Sequence, residues 1–225
     1  MLPATLLTAS RQQRVNHDSR SEAAYRTIKE KIVTLALPPA SLLNEAELMA
    51  ELGLGRTPVR EALQRLALEN LVIILPRRGT IVADLNMSDL QKIFEMRLEL
   101  EVYTVRLAAE RATSAQVAEM EALLANSDEI IRQGDYHQLM RLDHQAHQLL
   151  AQAAHNEFLA ETLERLYTHG LRLWYISLHK VSRLSEAIAE HRDIIAAIKA
   201  GDGQHAAEIM RTHITDFQTQ LTAAL

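Results

Sequence analysis

Three helical stretches of this 225-residue chain carry groups able to hold a metal ion where apolar residues would be expected. In the first, Asp143 and His147 stand one turn apart on a stripe with Leu139, Ala146 and Leu150. In the second, His191 stands among Leu184, Ala187, Ile188, Ile194, Ile195 and Ile198. In the third, His213 stands among Ala206, Ile209, Met210, Phe217 and Leu221. Desolvating such groups is costly unless something pairs with them. One carboxylate and three imidazoles suit a divalent transition ion, zinc first and nickel, manganese or iron next, with a position left for water or a ligand oxygen. Each histidine taken singly also reads as a core residue bonded to backbone; their coincidence on three helices favours the metal. His169, near Leu166 and Leu173, is the rival ligand, while His137, His144, His155, His179 and His205 read as peripheral.

A further polar insertion is Arg97, in the stripe Leu90, Ile93, Phe94, Leu100, Thr104 and Leu107, with Glu101 one turn later. Two readings stand side by side. Arg97 and Glu101 form an internal ion pair at i, i+4 spacing, or Arg97 offers its planar fork to the carboxylate of an effector that also touches the metal.

The second chemistry is anion recognition. In the run from Gly55 to Leu66, Thr57 is placed to cap a helix and Pro58 suits its first position. Val59, Ala62, Leu63, Leu66 and Ala67 make one apolar face, with Arg60 on its flank and Gln64 on the polar side. Arg56 and Arg60 crowd a helix tip that is already positive, which is unfavourable unless phosphates or base edges accept their donors. Solvated surface arginines are the bland alternative. Upstream, Asn44 with Glu47 forms a capping-box variant and Leu43 with Leu48 a hydrophobic staple, so a short helix spans about Glu45 to Leu52. Gly53-Leu54-Gly55 then has the length of the turn in a helix-turn-helix. Downstream, 71–75 and 80–83 are β-prone runs separated by Pro76-Arg77-Arg78-Gly79, a small hairpin wing with a basic tip.

With these residues in place, the stretch from about Ser21 to Ala83 resembles the winged-helix DNA-binding domain of the GntR superfamily of bacterial transcription regulators. The resemblance is carried by RTPVREALQRL and the following RRGTIV. It implies that Arg56 and Arg60 contact an operator, that Thr57 and Pro58 set the recognition helix, and that Gly79 lets the wing approach the minor groove. Gln64, Arg77 and Arg78 complete the expected DNA-facing set. Gly55 stands where a serine is usual, and Ala46 where some members carry a DNA-contacting arginine.

The rest of the chain reads as helices near 88–111, 114–133, 136–154, 157–180, 184–200 and 202–223, six in all, divided by Ser114, Gly134-Asp135, Asn156, Ser182 and Gly201-Asp202. Ser88 with Gln91 is placed to cap the first of them. Short connections predict an antiparallel all-helical bundle. The expected organisation is a flexible tail over 1–18, a winged helix-turn-helix over 19–83, a linker over 84–87 and the helical domain over 88–225; the fold class is mainly α. That helical domain resembles the FCD ligand-binding domain of the FadR branch of the superfamily, in its shorter version. The metal-binding variant of that domain places ligands at Asp143, His147, His191 and His213, and the resemblance implies a small organic acid as effector, with Arg97 its partner.

Composition sets the outer bounds. Only 7 glycines and 5 prolines occur and apolar residues make up 48%, which favours a packed helical protein. No cysteine is present, so thiolate sites and a cysteine nucleophile are excluded. The net charge of −5 is the sum of −7 in 87–225, with 13 basic and 20 acidic residues, and +2 in 1–86, with 11 basic and 9 acidic, and argues against nonspecific coating of nucleic acid. No apolar run reaches the roughly 18 residues of a membrane helix and no secretory leader is visible, so a cytoplasmic protein without a membrane partner is expected. The leading expectation is a homodimeric repressor, not an enzyme, that binds a palindromic double-stranded operator under control of a metal-bound acid. The alternatives are a metal-free dimeric DNA-binding protein and a metal-dependent hydrolase.

Overall fold

The computed structural model describes residues 4–177 and 184–224, and the chain divides into two compact units, Met1–Leu85 and Asn86–Leu225. The first unit runs α1 (Ala4–Val33), β1 (Leu42–Leu43), α2 (Glu45–Leu52), α3 (Arg56–Leu68), β2 (Val72–Leu75) and β3 (Gly79–Val82). Residues 4–18, expected as an irregular tail, continue α1. No glycine or proline falls between Ala4 and Leu37, so nothing in that stretch breaks a helix once its packed half has formed. That packed half buries Ala24, Tyr25, Ile28 and Ile32 against Leu48 of α2, Val59, Leu63 and Leu66 of α3, and Leu71, Val72 and Val82 of the sheet. The helix ends at Val33, and Leu35 turns through a left-handed φ of 62° ahead of Pro38.

Local chemistry sets α2 and α3. Asn44 caps α2, its side-chain oxygen accepting from the amides of Ala46 and Glu47, while its Nδ2 donates to Glu47 Oε1 at 2.8 Å. Gly53 closes the helix in the left-handed conformation, φ 63°. The start of α3 differs from expectation: Gly55, not Thr57, is the N-cap, and it has no side chain to offer. Pro58 therefore sits in the third helical position, where a missing amide is still harmless because the first four have no partner inside the helix. The wing is an antiparallel hairpin with Leu75 opposite Gly79, and β1 adds a short third strand to give the order β1-β3-β2.

In the second unit α4 (Met87–Arg111) packs against α7 (Tyr136–Ala153), α8 (Glu157–Ser177), α9 (Leu184–Lys199) and α10 (Gly203–Ala224). Asn86 caps α4 by accepting from the Ser88 amide, in place of the Ser88 cap expected. The stretch expected as one helix over 114–133 is two, α5 (Ser114–Leu124) and α6 (Ser127–Gln133), so the described residues hold seven helices here instead of six. Ser127 secures the break: its buried hydroxyl donates to the Leu124 carbonyl at 2.7 Å and accepts from Arg192 at 2.6 Å. Residues 178–183, with Ser182 and His179, lie outside the described residues. No described helix is long and apolar enough to cross a membrane.

Candidate metal centre and DNA-binding head

Helix α7 presents Asp143 and His147 from successive turns, α9 presents His191 and α10 presents His213. All four side chains are buried, and one ligand atom from each lies within 4.8 Å of the others. His191 Nε2 stands 2.9 Å from Asp143 Oδ1, and the Nε2 atoms of His147 and His213 each stand 3.9 Å from that oxygen. Ligand atoms about 2.1 Å from a tetrahedral zinc lie about 3.4 Å from one another, so the donor set has the size of a first-row metal site. His169 is not in the group.

The outer atoms decide which way the rings face. His147 Nδ1 meets Glu101 Oε2, and His213 Nδ1 meets Glu190 Oε2 at 2.8 Å. A carboxylate only accepts, so each Nδ1 carries a proton, and in that neutral tautomer the lone pair of each ring falls on Nε2, toward the other ring. Those two Nε2 atoms are 3.2 Å apart. Lone pair facing lone pair at this distance requires a cation or a shared proton between them, and the converging Asp143 and His191 make a divalent ion the better fit. His191 Nδ1 has no hydrogen-bond partner among the described residues.

The electrostatics keep Asp143 a carboxylate, and His191 Nε2, 2.9 Å from it, carries a proton that metal binding would displace. Burial opposes the charge on Asp143, yet the hydrogen bond from His191 and the three imidazoles around it hold this carboxyl well below the usual range. Burial works against the Glu101 carboxylate too, but Arg97 and His147 outweigh it and bring that group down to about 2. His191 is pulled down to about 4 by burial and by His213, against the attraction of Asp143. Burial and the Asp143 charge push the Tyr167 hydroxyl well above its ordinary value, and it donates to Asp143 Oδ2.

Arg97 is engaged inside the fold, beside the candidate centre. It is 3% exposed, donates from Nε to Glu101 at 2.6 Å, and stacks 4.7 Å from the Tyr167 ring centroid. This is the internal-pair alternative, with a second role: Arg97 holds the glutamate that orients His147. Periodicity alone does not single out Glu190 or Tyr167. Tyr167 shares a helical stripe with Leu163 and Trp174 and reads as plain core, and Glu190 beside His191 reads as surface. Trp174 is buried against Phe217 at 5.1 Å, and His144, expected at the periphery, bonds Glu164 at 2.9 Å.

In the other unit, Arg56, Thr57, Arg60 and Gln64 are exposed on one side of α3, while Pro58 is buried. Arg60 has an acid at hand, donating from Nε to Glu45 at 2.9 Å. Arg77 and Arg78 are exposed at the wing tip. Gly79 takes φ 98°, and a Cβ there would meet Leu42 Cδ1 at 3.4 Å, so the hairpin itself needs this glycine.

Residues 92–216 match the FCD domain family, and residues 20–82 match the bacterial regulatory proteins of the gntR family. The chain belongs to the GntR family and carries an FCD domain. This GntR-family regulator is similar to the HTH-type transcriptional repressor RspR of Escherichia coli (strain K12), with 29% identity over 196 residues, 87% of this chain and 86% of that one. It is similar to an HTH-type transcriptional regulator of Streptomyces ambofaciens, with 30% identity over 194 residues, 84% of this chain and 80% of that one. Among solved structures, E. coli McbR/YncC superposes with a TM-score of 0.82 at 25% identity, covering 91% of this chain and 97% of the other. A GntR-family regulator binds DNA to control transcription, which sets the hydrolase reading aside.

Proposed function

We propose that this GntR-family chain is a cytoplasmic homodimeric repressor whose hold on a palindromic operator is set by a small organic acid bound beside a divalent metal ion. Residues 19–83 read the DNA and residues 88–225 bind the effector and pair the two copies. The ion is held by Asp143, His147, His191 and His213, and the observation that carries this is the Nε2 to Nε2 approach of His147 and His213 at 3.2 Å. When bound, the ion supplies a Lewis-acid position for an effector oxygen. This chain's own residues do the rest: Glu101 and Glu190 orient two imidazoles, Tyr167 orients Asp143, and Arg97 holds Glu101 in place without touching the effector.

The DNA reading rests on the start of α3. Gly55 offers no side-chain acceptor, so the first amides of α3 are left for a phosphate, flanked by Arg56. Arg60 and Gln64 reach base edges from the same exposed side, and Arg77 and Arg78 extend the cationic surface at the wing. One winged helix reads few base pairs, so two copies on half-sites about one helical turn apart are needed for selectivity. The effector shifts operator affinity only by binding one arrangement of the two heads better than the other. The test is gel retention of a palindromic operator by protein loaded with zinc or stripped by chelator, across a panel of carboxylic acids. Retention that ignores both metal and acid would remove the regulatory reading and leave a metal-free DNA-binding dimer.

A further inference from the structure

A cavity of about 300 Å³ adjoins the candidate metal centre, walled by α4, α7, α8 and Met210 of α10. That is the lower end of the range for small-molecule sites. His147 and Tyr167 form its metal side. Val105, Leu150, Ala151, Leu163 and Met210, all buried, line it with hydrocarbon. Of the residues around it only Gln152 and Glu161 are exposed.

The polar atoms of the enclosed wall already face protein partners. Thr104 Oγ1 donates to the Leu100 carbonyl at 2.7 Å, and the Tyr167 hydroxyl donates to Asp143 Oδ2. His147 Nδ1 meets Glu101, which also accepts from Arg97. His144 Nε2 and Gln148 Nε2 both donate to Glu164 Oε2, at 2.9 and 3.0 Å, so these three side chains hold one another. The charged groups that line the cavity are glutamates, and among the described residues no lysine or arginine does so.

A carboxylate entering this space therefore finds one cation, the metal ion. A second carboxylate or a hydroxyl at the far end would give up its water without gaining a new donor, which is costly. An alkyl chain loses nothing there and is favoured by the hydrocarbon it covers. We infer that the effector is a short, unsubstituted monocarboxylate, its carboxylate on the metal side at His147 and its chain along Val105, Leu163 and Met210. This rests on the metal-linked effector reading above and narrows it, setting dicarboxylates and acids hydroxylated along the chain aside.

The test is a calorimetric and thermal-shift titration of zinc-loaded full-length protein with the straight-chain acids from propanoate to hexanoate. Each is compared with its ω-hydroxy counterpart and with the dicarboxylate of equal length. Affinity in the plain series should rise about fourfold for each methylene that is buried, and each polar counterpart should bind about tenfold more weakly. Ala160→Leu, which fills part of the cavity from α8, should weaken hexanoate while leaving propanoate binding and zinc content as in wild type. A chain-length profile unchanged in that variant overturns the inference. So do polar counterparts that bind as well as the plain acids, and they leave the metal-linked effector standing. No binding by any series, or equal binding to chelator-stripped protein, overturns both.

Discussion

His147 and His213 face each other through Nε2 atoms 3.2 Å apart while their opposite nitrogens are each held by a glutamate, Glu101 and Glu190. The pair is thus aimed from behind. Neither ring can turn its lone pair away without abandoning its carboxylate, so the centre is preorganised for a cation, and the cost of ordering it falls on folding instead of on metal binding.

Replacing His147 or His213 by alanine should abolish stoichiometric zinc, read by elemental analysis after loading and desalting. His169→Ala should retain it. In wild-type protein, zinc at a hundred times its dissociation constant adds about 2.7 kcal/mol of stability by mass action, and both ligand variants should lose this increment. Loss of zinc in the His169 variant alone would refute the ligand set.

Glu190→Gln separates orientation from ligation. Glu190 touches no metal position itself, yet it fixes the tautomer of His213, so its amide should weaken zinc affinity by about 10- to 100-fold. Because the side chain is 18% exposed, the fold should tolerate the change. Competition with a chromophoric chelator measures the first effect and thermal unfolding of metal-free protein the second.

Acid should destabilise the metal-free protein in two stages. His191 is lowered to about 4 from 6.5 in the fold, and Glu101 to about 2 from 4.5. In each window the unfolded chain binds more protons than the folded one, so stability rises with pH. Both contributions are present above pH 6.5; the His191 part is lost as pH falls from 6.5 to about 4, the Glu101 part between 4.5 and about 2. Urea midpoints that stay level between neutrality and about pH 4 would contradict the first stage.

Arg56→Ala with Arg60→Ala should cost operator retention in a gel without lowering the melting temperature, because both side chains are exposed. The salt dependence of binding should become shallower by about one unit of log–log slope for each phosphate that the variant no longer neutralises. Glu45→Gln frees Arg60 from its acid and should leave retention intact or raise it. A double-alanine variant that shifts the operator like wild type would mean that α3 does not face DNA.

Much of this protein was legible along the chain because its signals are local. Periodicity and turn residues mark α2, α3, the wing and the long helices, and four polar residues on apolar stripes converge on one centre. The misplaced edges were local contests with close outcomes. Thr57 and Gly55 compete for one helix start within two residues, and the break at Ala125 depends on Arg192, which is distant in sequence but donates to Ser127. What only the tertiary structure decided is the geometry between helices. Arg97 pairs inward with Glu101, Glu101 and Glu190 orient His147 and His213, Tyr167 reaches Asp143, and the cavity wall is acidic. Each of these joins side chains from different helices or chooses between two local partners. A helical period states which face a residue occupies but not what stands opposite, and here the opposite residue fixes the proton, the charge and the ligand.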